Sequence, residues 1–212
     1  MGRGVARVAG FGSGSGFGSG FGLQRIGAGT LRGRKLLALP EGVPGLRPMG
    51  SRVREAVFDR LQTSVLEARV LDLFAGSGAL SIEALSRGAA HCMLFELDAR
   101  VVRHLQAQLG ALALASHAEV RRGDALALFA AGRGSAAPFD LVFVDPPFAS
   151  PHIFSPVFAA LCDRGWLAPG AQVVCERERV RGAAPSLVIP AALELEATRI
   201  YGQAQVEFLA LR

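Results

Sequence analysis

Lysine is all but missing from this 212-residue chain, long apolar runs are missing altogether, and cysteine is too sparse to build a disulfide framework. Each shortage excludes something. Half of the residues are hydrophobic, yet no apolar stretch reaches the ~18 residues of a bilayer-spanning helix; the chain is expected to bury one good core, as a single domain with an appendage. The N-terminus has no apolar segment of the kind found in secretory leaders, which points to a cytoplasmic protein. Cys92, Cys162 and Cys175 are odd in number, widely spaced and set beside apolar residues. Buried free thiols in a reducing compartment are therefore expected, with neither a disulfide nor a metal. Because Lys35 is the only lysine, nearly all positive charge is guanidinium, which pairs bidentately with phosphate and stacks on bases.

What charge there is lies unevenly. Residues 1–65 carry ten Arg/Lys against three Asp/Glu, net +7, whereas residues 66–212 carry thirteen against fifteen, net −2. Such segregation is the electrostatic footprint of a nucleic-acid-binding segment. The chain divides accordingly. Residues 1–22 are Gly and Ser with interspersed Phe11, Phe17 and Phe21, a composition that cannot offset its own ordering entropy and is expected to form a flexible tail; arginine without acid there also permits an organellar targeting reading. Residues 23–65 form a basic module: a short hairpin from Leu23 to Leu39 with glycine at its bends, a Gly/Pro-rich loop from Pro40 to Pro48, and a helix N-capped by Ser51. That helix places Val53, Ala56, Val57 and Leu61 on its apolar face. Arg25, Arg32, Arg34, Lys35, Arg47, Arg52 and Arg54 are the candidate RNA contacts.

From residue 66 to residue 212 strands and helices alternate. Strands are expected at Val70–Phe74, His91–Glu96, around Val120, at Phe139–Val144 and at Ala171–Glu176, with helices after the glycine turn, from Asp98 through Leu112, through Phe129, and over Pro156–Leu161. Leu193–Tyr201 and Gln205–Leu211 read as two strands joined by a tight turn at Gly202. This is the pattern of an α/β fold, a mostly parallel sheet covered by helices on both faces and finished by a hairpin.

Two loops carry chemistry. Asp145-Pro146-Pro147-Phe148 ends the apolar run Phe139–Val144, placing a carboxylate, rigid carbonyls and a ring at a strand's carboxyl end, where open α/β sheets bind ligands. That set suits an amino group on a flat heterocycle. Gly76 and Gly78 open a helix whose free amides a ligand can approach, and Glu96, twenty residues beyond Gly76, ends the next strand at the spacing that grips ribose hydroxyls. Ser81 stands where a dinucleotide fingerprint has glycine, which favours an adenosyl ligand over a pyrophosphate one. Asp72 either orients this turn, caps the helix or meets a ligand's ammonium. Asp124, ending the third strand, either accepts from an adenine amine or caps the following helix.

Asp72-Leu73-Phe74-Ala75-Gly76-Ser77-Gly78-Ala79-Leu80, Glu83-Ala84-Leu85-Ser86-Arg87-Gly88-Ala89 and Asp145-Pro146-Pro147-Phe148 resemble the class I S-adenosylmethionine-dependent methyltransferases, specifically the bacterial family that methylates guanine N2 in small-subunit ribosomal RNA. Arg32-Gly33-Arg34-Lys35, Arg52-Val53-Arg54-Glu55 and Gly202-Gln203-Ala204-Gln205-Val206 extend the resemblance over nearly everything after residue 22. It implies a Rossmann-like, seven-stranded, mostly parallel sheet with an antiparallel C-terminal hairpin. It also implies S-adenosylmethionine held by Asp72, Phe74, Ala75, Gly76, Ser77, Gly78, Glu96, Asp124 and Asp145, catalysis at Asp145, Pro146, Pro147 and Phe148, and ribosomal RNA or a small-subunit assembly particle as partner. Met49-Gly50-Ser51 departs from the Thr-Thr-Asp usual in that family. His152 is expected at the rim. An adenine-N6 methyltransferase and a non-catalytic RNA-binding or ribosome-assembly protein are the alternative functions.

Overall fold

The computed structural model describes residues 24–43, 46, 49–134, 136–180 and 187–212. The expected tail at 1–22 and the expected RNA contact Arg47 lie outside them. Seven strands, β1 Arg69–Asp72, β2 His91–Glu96, β3 Ala118–Arg122, β4 Phe139–Val144, β5 Leu167–Glu178, β6 Leu193–Tyr201 and β7 Ala204–Leu211, form one sheet in the order β3-β2-β1-β4-β5-β7-β6. Strands β1 to β5 pair in parallel, and β7 runs antiparallel between β5 and β6. Strand order reverses between β1 and β4, so a crevice opens at their carboxyl ends.

Alternation within the strands builds two cores. Val70, Leu94, Leu141, Phe143, Val174 and Val206 face α1 (Ser51–Leu61), α2 (Ala79–Ser86) and α3 (Ala99–Ala111). Their neighbours Leu71, Phe95, Val142, Val144, Val173 and Cys175 face α4 (Ala125–Ala131) and α5 (Phe154–Asp163). Because both faces are covered, the central strands read as unbroken apolar runs. Phe58 of α1 meets Phe143 of β4 edge-on at 5.9 Å between ring centroids. On the other face Trp166 stacks on Phe139 and abuts Phe129.

The elements differ from expectation mainly at their ends. β1 stops at Asp72 rather than Phe74, although Leu73 N still donates to Phe143 O of β4 at 3.2 Å; Leu73 and Phe74 go on to line the crevice. β5 starts at Leu167, before the expected Ala171, across an irregularity in its pairing with β4. α5 starts at Phe154, which puts Pro156 in the first turn, where the missing N–H breaks no helical bond. Ser51 does not cap α1: Gly50 holds that position and no side chain caps the helix. The buried stripe of α1 is Arg54, Val57, Phe58 and Leu61, displaced from the expected Val53 and Ala56, both only half-buried. Cys92 and Cys175 are buried free thiols, and Cys162 is half-buried and free.

The N-terminal hairpin is real but minimal. A single antiparallel bridge joins Arg25 to Lys35, supported by Ile26 N–H donating to Arg34 O at 3.0 Å and Leu36 N–H to Gln24 O at 2.8 Å. Two strands this short are not stable alone. The hairpin is held by the end of α2, where Glu83 accepts from Gly27 N (2.8 Å) and Ala28 N (3.0 Å). Ser86 O accepts from Thr30 N at 2.7 Å, and Ser86 Oγ accepts from Leu31 N at 3.0 Å while donating to Ala28 O at 2.6 Å. Gly29 sits at φ 79, where a Cβ would fall 1.8 Å from Ser86 O, so only glycine fits this contact. Ile26 and Leu36 enter the same core as α1, α2 and the sheet.

Candidate active site at the carboxyl end of the sheet

A cavity of about 980 Å³ fills the crevice. The loops after β1 through β4 line it with Phe74–Ser77, Glu96–Arg100, Arg122–Ala125 and Asp145–Phe148, and the far wall is Glu176, Tyr201, Gln203 and Ala204. Leu46, Met49 and Val53 of the N-terminal module close one side.

The glycine loop is built around its own amides. Gly76 and Gly78 have φ of 50 and 75. Ala75 N donates to Phe95 O (2.9 Å) and Gly78 N to Ala75 O (2.7 Å), and Gly76 N donates to Glu96 Oε2 at 3.1 Å. The other Glu96 oxygen accepts from Asp98 N at 2.9 Å, so the carboxylate is fixed at the cavity edge. Both positive φ values disfavour a side chain; a Cβ on Gly76 would meet only ordinary contact, 3.4 Å from Leu46, whereas one on Gly78 would collide at 2.6 Å with Leu105 behind the wall.

Of the expected cofactor residues, Phe74, Ala75, Gly76, Ser77, Glu96, Asp124 and Asp145 line one cavity, while Asp72 and Gly78 stand behind it. Asp72 is buried and accepts from Ser81 Oγ at 2.7 Å, tying the end of β1 to the first turn of α2. Asp124 caps α4 through Oδ1, which accepts from Leu126 N (2.8 Å) and Ala127 N (3.1 Å); it caps and lines the cavity at once. Asp98, the cap of α3, is held down to about 2 by its hydrogen bonds to Arg100, whose guanidinium also reaches Gly42 O and pins the loop after the hairpin.

Burial pushes the Asp72 carboxyl up to about 6, against the smaller opposing effect of the Ser81 hydroxyl. A carboxyl raised from 3.8 to about 6 penalises the folded state on the order of 3 kcal/mol once it is ionised in both states. Because the folded-state value lies above the unfolded one, this penalty is absent below pH 3.8, grows as pH rises through about 6, and is complete above that. Asp72→Asn, which keeps an oxygen for Ser81, is expected to stabilise the protein by up to about 3 kcal/mol at pH 8 and by almost nothing at pH 4. Paired urea melts at the two pH values check this.

Asp145 and Phe148 are half-buried, Pro146 is buried and Pro147 exposed. The proline pair follows Asp145, the first residue after β4, and Ser150 N donates to Pro147 O at 2.8 Å. His152 is exposed and outside the cavity lining. Sequence reasoning missed Arg100, Arg122, Glu176, Tyr201 and Gln203 as wall residues. Glu176 alone had a signal, since it closes an apolar run of the sequence as Asp145 does. Met49, standing where hydroxyls and a carboxylate were expected, is buried and makes that wall apolar.

Among the basic residues, Arg25, Arg32, Arg34, Lys35 and Arg52 are exposed. Arg54 is not, which corrects its reading as an RNA contact. It is 1% exposed, its Nε lies 3.5 Å from Glu83, and its Nη2 donates to Arg25 O at 2.7 Å. The guanidinium is spent inside the protein, joining α1 to α2 and the hairpin. No group of three or more His, Cys, Asp or Glu placed to hold a metal occurs among the described residues, and no described helix is long and apolar enough to cross a membrane.

The comparisons agree with this geometry. The family described as Conserved hypothetical protein 95 matches residues 24–210. The ribosomal RNA small subunit methyltransferase D of Escherichia coli K12 is 42% identical over 179 residues, 84% of this chain and 85% of that protein. The protein of the same description from Haemophilus influenzae is 40% identical over 156 residues, 73% of this chain and 79% of that one. Among solved structures, the methyltransferase yhhF of Escherichia coli superposes with a TM-score of 0.77 at 38% identity, covering 90% of this chain and 99% of that one. An RNA methyltransferase of Salinibacter ruber solved with S-adenosyl-L-homocysteine shares the fold, at TM-score 0.58 and 18% identity over 78% of this chain and 94% of that one. With the seven-stranded order, the glycine loop and the Asp-Pro-Pro-Phe turn converging on one cavity, the chain belongs to the family of the ribosomal RNA small subunit methyltransferases D.

Proposed function

We propose that this chain transfers a methyl group from S-adenosylmethionine to the exocyclic N2 of a guanine in small-subunit ribosomal RNA, acting in the cytoplasm on the RNA or on a small-subunit assembly particle. One observation carries the reading: Asp145-Pro146-Pro147-Phe148 and the Gly76/Glu96 loop line the same cavity, beside a basic N-terminal module.

The residues present fit the cofactor. Gly76 leaves open a cradle that a Cβ would fill, Glu96 is fixed at the second strand end for ribose hydroxyls, and Asp124 stands at the third for an adenine amine. When bound there, S-adenosylmethionine supplies an electrophilic methyl already activated by its sulfonium. Asp145 and the Pro146 carbonyl accept hydrogen bonds from the base's amino group, holding its lone pair toward the donor and stabilising positive charge as it develops on nitrogen. Asp145 need not be a strong base, since the methylated ammonium is acidic and releases its proton after transfer. Phe148 stacks on the base, which must leave its RNA neighbours to enter the crevice. The segment 23–65 serves as the RNA-contacting module, with phosphates taken by the exposed Arg25, Arg32, Arg34, Lys35 and Arg52, and by Arg47. Arg54 holds that module in place.

Incubating the protein with labelled S-adenosylmethionine and small-subunit RNA from cells lacking this modification, free and as assembled particle, is expected to yield N2-methylguanosine on nucleoside analysis. N6-methyladenosine would transfer the function to the adenine reading. RNA binding without label would leave only an assembly role.

A further inference from the structure

Asp145 accounts for an amine but not for which amine, since exocyclic amines occur on guanine, adenine and cytosine alike. A second carboxylate stands beside it. Strands β4 and β5 are paired in parallel through Phe143↔Val174 and Val144↔Cys175, so the next residues in register, Asp145 just past the end of β4 and Glu176 within β5, come side by side, with adjacent strands about 4.8 Å apart. They also share a face. Phe143 and Val174 both belong to the core under α1 and α2, and the two-residue period puts Asp145 and Glu176 on that same side. Glu176 is only 7% exposed and lines the cavity with Asp145.

We propose that Glu176 selects guanine by accepting a hydrogen bond from the ring N1–H while Asp145 takes the adjacent N2 amine. This deepens the guanine-N2 reading above and rests on it. The selectivity follows from the bases themselves. Guanine alone has its amine next to a ring N–H, so two neighbouring carboxylates meet two donors. In adenine the ring atom next to the amine is N1, and in cytosine it is N3, each bearing a lone pair; either would set that lone pair against the buried Glu176 carboxylate oxygens, acceptor against acceptor. A site built to accept from a donor discriminates against an analogue that presents a lone pair there, because the hydrogen bond is lost and two acceptors are set against each other. Glu176 is thereby a specificity residue, and Asp145 remains with the reacting nitrogen.

The experiment compares guanine with 2-aminopurine at the mapped methylation position of small-subunit RNA, assembled into particles if transfer needs them. 2-Aminopurine keeps the 2-amine, replaces N1–H by a lone pair and lacks O6, so it is the change of the ratio in the Glu176 variants that assigns the effect to N1. With wild-type protein, kcat/KM for guanine is expected to exceed that for 2-aminopurine by about ten- to a hundredfold, the range of a hydrogen bond to a charged group. Glu176→Gln, whose amide can turn either its oxygen or its NH2 to the ring, is expected to reduce that ratio to a few-fold while S-adenosylhomocysteine affinity stays unchanged. Glu176→Asp, with its charge drawn back by one methylene, should slow guanine and retain the preference. If Glu176→Gln and Glu176→Asp slow both bases equally, or leave guanine methylation untouched, Glu176 does not read N1. Absence of any N2-methylguanosine with the wild-type protein is a separate outcome, and overturns the guanine reading instead.

Discussion

Asp145→Ala is expected to lower the rate of methyl transfer by about a thousandfold while S-adenosylhomocysteine binds within about threefold of wild type. The size follows from what the carboxylate does. An acceptor preorganised at the point where positive charge develops contributes typically a hundred- to a thousandfold, and the alanine variant also loses the orientation of the attacking nitrogen. The small effect on the cofactor follows from position. Glu96, Gly76 and Asp124 line the part of the cavity formed by β1 to β3, one strand or more away from Asp145. Asp145→Asn keeps one oxygen acceptor and should fall less steeply, with both losses in kcat rather than KM. Single-turnover transfer under saturating RNA, set beside calorimetric titration with S-adenosylhomocysteine, separates the two quantities. A rate within a few-fold of wild type would remove Asp145 from the chemistry, and equal losses in rate and cofactor affinity would recast it as a cofactor ligand only.

What could be read from sequence was what is local. The glycine loop, the Asp-Pro-Pro-Phe turn and the carboxylates Glu96 and Asp124 each sit at the end of a short apolar run, and the sheet's parallel order then brings such ends to one edge. Tyr201 and Gln203 escaped because their approach depends on β7 inserting between β5 and β6, which no run of residues announces, whereas Glu176 closes an apolar run and is brought to the site by the parallel pairing of β4 with β5. Hydrophobic periodicity misplaced the buried face of α1 for a related reason. Counting only apolar side chains hides a stripe that begins with a charge, since Arg54 takes the inward position one turn before Val57 and Phe58. Its partner Glu83 is equally invisible, being the one charged residue of a helix whose residues are all buried. A buried charge is legible only when its counter-charge is known to be near, and here the two are separated by 29 residues and a strand.

Glu83→Ala is expected to destabilise the protein by about 3–5 kcal/mol, the range for removing one partner from a buried ionic cluster. One carboxylate satisfies three parts of the chain at once: the Gly27 and Ala28 amides of the hairpin, Arg54 of α1 and Arg87 at the end of its own helix, at 2.9 Å. Without it Arg54 keeps only the Arg25 carbonyl, in a place where burial already lowers its affinity for the proton. The loss should show first in the module, as faster amide exchange at Gly27, Ala28 and Thr30, before the sheet is affected. The double variant Arg54→Met, Glu83→Leu should recover much of the lost stability, because apolar side chains of similar volume remove the uncompensated charge. It should not recover the hairpin's anchor. If Arg25, Arg32, Arg34 and Lys35 grip RNA only when that hairpin is docked, the double variant will be nearly as stable as wild type in urea and still bind RNA more weakly. Equal RNA affinity in the two proteins would show instead that these side chains need no fixed platform.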